Sequence, residues 1–187
     1  MPQTKILLDT NAYLRLAQTI HPLLFVPFGE KEYTLYVIKE FQREFNRQKR
    51  LTRNFPWVNL KEFKENRSKS ISLSNEDKKN IEIAWSFIWN HNVSQGFGAS
   101  EVDVRALSVG YVLSIPVVTD DKDMIDLARS LGIKVMRILD LLAIMVDSDH
   151  ITHEKIKELV SYLHYHDDLP HKYFIRDINK KFRLDIS

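Results

Sequence analysis

Short apolar runs alternate along the chain with longer stretches in which apolar residues recur every three or four positions. The first run, Lys5-Ile-Leu-Leu8, ends in Asp9-Thr-Asn11 and predicts a buried strand with polar residues at its carboxyl end. A helix is expected over residues 11–18, a loop over 21–32, which holds two prolines and a glycine, and a strand over 33–38. Val37, Phe41 and Phe45 recur at a spacing of four, so a helix follows to about residue 49, with Glu40 near its first turn. Residues 51–73 show no period and are polar and basic, which predicts an irregular insertion that Trp57 pins to the body. Ser74-x-x-Asp77 is an N-cap signature ahead of a helix over 75–90 with Ile81, Ala84, Trp85 and Ile88 on one face; a loop with Gly96 and Gly98 follows. Ser100-x-x-Asp103 repeats the signature ahead of Val102, Ala106, Val109 and Leu113. The run Ile115-Pro-Val-Val118 is a strand ending in Thr119-Asp-Asp-Lys122. A helix closed by Gly132, a strand over 134–138 and a short helix over 140–146 complete the alternation.

Strands alternating with helices predict an α/β domain with a parallel sheet, in which ligands collect at the carboxyl ends of the strands. From Asp147 the pattern is helical only: Ile156, Leu159, Val160 and Leu163 form one stripe, Leu169-Pro170 breaks it, and a further helix is expected over 173–182. The expected organisation is a domain over 1–146, carrying the basic insertion, and a helical C-terminal extension over 147–187.

Composition narrows the chemistry. A chain of 187 residues with 44% hydrophobic positions can bury a core, which excludes wholesale disorder. Cysteine is absent, excluding disulfides, thiolate metal sites and cysteine nucleophiles. The five glycines never take the spacing of a phosphate-cradling loop. No apolar run approaches the ~18 residues that cross a bilayer, and the expected setting is cytoplasmic. The net charge of +2 hides an asymmetry: residues 41–69 carry nine bases against three acids, and residues 99–149 carry nine acids against five bases. One stretch suits anions and the other suits cations. Five tail histidines (His150, His153, His164, His166, His171) lack metal-ligand spacing.

Asp9 follows one strand and Asp120-Asp121 follows another, so a parallel sheet aims these acids at one edge. Glu40 and Asp103 stand at helix starts that face the same edge. Singly, each has an ordinary reading as a turn or helix cap. Together they describe a pocket of carboxylates, which repel one another unless a hard cation such as Mg²⁺ or Mn²⁺ joins them. Such a site activates water for in-line attack on a phosphodiester.

The motifs Ile6-Leu-Leu-Asp-Thr-Asn11, Val37-Ile-Lys-Glu40-Phe, Ser100-Glu-Val-Asp103-Val-Arg-Ala-Leu107 and Val118-Thr-Asp-Asp-Lys-Asp123 resemble, in that order, the PIN-domain nuclease family, which includes VapC-type toxins. The resemblance implies a three-layer α/β/α sandwich around a central parallel sheet and a Mg²⁺- or Mn²⁺-dependent endoribonuclease site. It matches Asp9, Glu40, Asp103 and Asp121 to the four acids that act as catalytic residues and metal ligands. Asn11, Ser100 and Thr119 match supporting positions. Asp120 competes with Asp121 for the fourth place, and Glu101 is a second candidate near the third. Glu101 and Asp103 diverge by about 200° around a helix, so they do not share one ion. Asp123 either joins through water or caps the following helix.

Arg43, Arg47, Lys49, Arg50 and Arg53 extend from the helix of Glu40 and suit the phosphates of an RNA substrate. Phe55, Trp57 and Phe63 either stack on bases or belong to the core. The toxin branch implies an antitoxin protein as partner, and the extension offers a face for a homodimer or a docked protein. The competing reading is a non-catalytic nucleic-acid- or protein-binding module on the same fold. A phosphatase or a receiver-type protein ranks well below the nuclease, because Asn11 stands where the phosphatase needs an Asp and the receiver's lysine has no counterpart.

Overall fold

The computed structural model describes residues 3–187. Four strands, β1 (Lys5–Leu8), β2 (Thr34–Val37), β3 (Val117–Val118) and β4 (Val135–Met136), form an all-parallel sheet in the order β2-β1-β3-β4. Leu7 pairs with Tyr36 on one side of β1 and with Val117 on the other. Side chains alternate strictly through the sheet. Ile6, Leu8, Leu35, Val37 and Val118 enter one hydrophobic cluster, and Leu7, Tyr36 and Val117 enter a second. A strand with apolar residues at every position needs cover on both faces, and the helices supply it.

On the second face lie α5 (Asn75–Gln95), α6 (Glu101–Leu113) and α7 (Lys122–Ser130), through Ile81, Ile88, Leu107 and Met124 among others. Gly110 lets α6 approach β3 closely, since a Cβ there would stand 2.5 Å from Val117 Cγ2. The first face is covered by α1 (Thr10–Leu16), α2 (Phe41–Arg47) and α8 (Ile138–Asp147). The extension joins them: α9 (His153–Tyr165) and α10 (Phe174–Phe182) insert Ile156, Leu159, Phe174 and Ile178 into the same cluster. Arg15 of α1 pairs with Asp168, between α9 and α10, at 3.1 Å. The arrangement is compatible with a three-layer α/β/α sandwich. Among the described residues no helix is long and apolar enough to cross a membrane.

Residues 51–73 depart from the irregular insertion expected of them. They hold most of α3 (Lys49–Asn54), a 3₁₀ turn (Pro56–Asn59) and α4 (Lys61–Asn66). Each piece is too short to display a helical period, which is why the segment looked patternless. Phe55, Trp57 and Phe63 are buried core residues, with the Trp57 and Phe63 rings 4.6 Å apart. Helix α5 also outruns its expected end at residue 90: it continues to Gln95, where Gly96 takes the left-handed conformation at φ 71°.

The burial of Phe174 gives an expected outcome. Phe174→Ala should cost about 3–5 kcal/mol in urea denaturation, with one cooperative transition. A separate early transition would show the extension unfolding alone.

Candidate active site

Asp9 is the residue at which β1 stops and α1 begins. Its side chain caps α1 by accepting the Ala12 N–H, and it is only 4% exposed. Thr119 follows β3, is wholly buried, and accepts the Asp121 N–H on its hydroxyl oxygen at 3.0 Å. Across from them starts α6, where Ser100 and Asp103 form a reciprocal cap: Asp103 Oδ2 accepts the Ser100 N–H at 2.9 Å, and Ser100 Oγ accepts the Asp103 N–H at 3.2 Å. A narrow crevice joins these pieces, with Asp9, Thr10 and Asp103 on its walls and Val37, Phe41 and Ala106 as apolar lining.

Burial dominates the electrostatics of this crevice. Burial pushes the Asp9 carboxyl up to about 7, and Asp103 adds to the rise. Thr119, the Ala12 N–H and Arg15 oppose it. Burial also raises the Asp103 carboxyl against the pull of its Ser100 hydrogen bonds, with Asp121 adding repulsion. Glu44 of α2 is raised by burial too, and it also feels Asp103, while its hydrogen bond from the Thr10 hydroxyl lowers it. Asp103 is thus the acid to which Asp9, Glu44 and Asp121 all couple.

Glu40 is elsewhere. Its Oε1 accepts from Arg105 Nε at 3.2 Å, and Arg105 also grips Glu82. With Arg43, Trp85 and Glu101 these residues line a separate cleft of about 250 Å³. Glu44, one turn further along α2, is an acid that the motifs did not single out. Its signal was available in the spacing of four from Glu40, which keeps both on one side of the helix. Asp120 is engaged elsewhere: its Oδ2 accepts the Ile138 N–H at 3.2 Å at the start of α8, and burial raises its carboxyl against that bond and the charges of Arg15, Arg137 and His171. Asp121 caps α7 through the Met124 N–H at 2.9 Å. Glu101, Asp123 and Asn11 are exposed. Among the described residues no group of three or more His, Asp or Glu side chains is gathered tightly enough to hold a metal ion.

Arg43, Arg47, Lys49, Arg50 and Arg53 are all exposed, and none has an acid partner among the described residues. Arg43 and Arg47 line a cleft of about 380 Å³ with Glu44, Ser100 and Glu101. A scan of the chain against protein-family models finds no match, and a search of curated proteins finds none either.

The raised Asp9 carboxyl has a consequence for stability. The folded chain binds this proton more tightly than the unfolded chain, so Asp9 stabilises the fold below pH 4 and loses that contribution as pH rises through about 7. Asn keeps an oxygen for the Ala12 N–H but cannot ionise. In EDTA, Asp9→Asn should therefore gain stability over wild type progressively from pH 4 to pH 8, by a few kcal/mol at most. A difference independent of pH would contradict this account.

Proposed function

We propose that the chain is a metal-dependent endoribonuclease of the PIN-domain type, hydrolysing RNA phosphodiester bonds, with a toxin restrained by an antitoxin as the narrower form of that reading. The observation that carries it is the crevice in which Asp9 and Asp103, 94 positions apart in the chain, face each other at the carboxyl edge of a parallel sheet. The order of the four motifs along the chain supports it as well.

The chemistry of the donors fits Mg²⁺ or Mn²⁺. All of them are oxygen, Asp9 is buried and Asp103 and Glu44 are part-buried, and the cation acting on Asp9 is the single Arg15. Asp9 and Asp103 would hold the ion, with Glu44 and Asp121 beside them. When bound, the ion supplies a Lewis acid that lowers the pKa of water and offsets charge developing on the phosphoryl oxygens. The Ala12 N–H keeps Asp9 in place, and Thr119 fixes the backbone of Asp121. The Thr10 hydroxyl directs Glu44 toward the same space. Arg43 and Arg47, on the rim beside Glu44, suit the phosphates that flank the cleaved bond.

One observation favours the non-catalytic binding module. Asp9, Asp103 and Asp121 each spend an oxygen on a helix cap. Cleavage of defined RNAs with and without Mn²⁺ separates the two. Asp9→Asn and Asp103→Asn should each lose cleavage by about 100-fold or more, and Glu44→Gln should lose more than Glu40→Gln. Mn²⁺-independent turnover, or full activity in both aspartate variants, would sink the nuclease reading.

A further inference from the structure

A cleft of about 620 Å³ opens beside the acidic crevice and shares Val37, Ile38 and Phe41 with it. Lys39 stands on its rim just beyond β2, and Lys64, Arg67 and Lys69 come from the end of α4 and the turn after it. No Asp or Glu lines this cleft. Neutral amides, Gln42, Asn46 and Asn59, fill the spaces between the cations.

Arg67 is the informative residue. It is half-buried, and its guanidinium donates to the Tyr13 hydroxyl at 2.8 Å, the Val58 carbonyl at 2.7 Å and Gln42 Oε1 at 3.1 Å. All three acceptors are neutral. Among the described residues no carboxylate pairs with Arg67, Lys39, Lys64 or Lys69. A cation withdrawn from water and left without a counter-charge, in a concave site with three more cations, concentrates positive potential there.

We propose that this cleft holds the sugar-phosphate backbone of a single-stranded nucleic acid and leads it over Val37 and Phe41 to Asp9 and Asp103. Cations spread along a cleft, with amide donors between them, match a row of phosphates better than a lone anion. At about 620 Å³ the cleft takes a short segment of one strand. No exposed aromatic ring lines the cleft, since Phe41 is buried. The hold is therefore on phosphate and tolerates any base. The destination of the strand rests on the nuclease reading; the binding itself does not.

Fluorescence anisotropy of a short labelled RNA, in EDTA and over a KCl series, tests this with the full chain. The exposed pair Lys64→Ala with Lys69→Ala should weaken binding about 10-fold and reduce the slope of log K against log salt by about 0.7 per lost contact. Lys180→Ala with Lys181→Ala, on α10, should change neither. Oligo(A) and oligo(U) should bind alike. Absence of RNA binding by wild type, equal losses in the two lysine pairs, or affinity for one base composition alone would overturn the proposal. If the Lys64/Lys69 variant loses binding while wild type cleaves nothing with Mn²⁺, the cleft stands and the nuclease reading falls. If wild type cleaves and the variant binds RNA unchanged, the cleft falls and the nuclease reading stands.

Discussion

The carboxylate at the end of β1 is almost wholly withdrawn from solvent, open only to a narrow crevice. The strand lies between β2 and β3 and is covered on both faces, so the residue that follows it is buried whatever its chemistry. Burial alone would keep that carboxyl protonated. The surroundings oppose this with a backbone N–H from Ala12, a hydroxyl from Thr119 and the charge of Arg15. Each is fixed by the fold: Ala12 by the first turn of α1, Thr119 by the end of β3, Arg15 by the far end of α1. Position 119 suits a small hydroxylated residue, because its oxygen accepts the Asp121 N–H inside a space with no exposure.

Much of this was legible in the chain. The sheet was readable because four apolar runs each end in polar residues and are separated by helical periods. Asp9, Asp103 and Asp121 were readable because strand ends and helix starts in a parallel sheet share an edge. What was not legible depended on side chains choosing partners across the fold. Glu40 has a motif position, but Arg105, 65 residues later, claims it. Glu44 sits in a stretch whose surplus of bases masked it, and only the neighbouring Thr10 and Asp103 give it meaning. The choice between Asp120 and Asp121 was open because consecutive residues leave a strand end in opposite directions. The start of α8 captures the first, and the second caps α7.

The segment between α2 and α5 has two sides that composition alone confuses. Its aromatic residues belong to the core: Phe55, Trp57 and Phe63 pack on one another and on Tyr13. Its cations stay outside, apart from Arg67, which reaches back over the Tyr13 and Phe41 rings at 5.5 and 5.3 Å. An average over the segment reads as polar and patternless. In space it is a buried aromatic foot carrying a charged rim.

The ion pair between Arg15 and Asp168 gives α1 a second attachment. Asp9 holds the helix at its beginning, and Arg15 holds it near its end, six residues and about 9 Å along the axis. A seven-residue helix is too short to bend, so it moves as one piece between these two anchors. One short helix therefore joins the buried acid after β1 to the C-terminal extension, and the two ends of the chain meet across it.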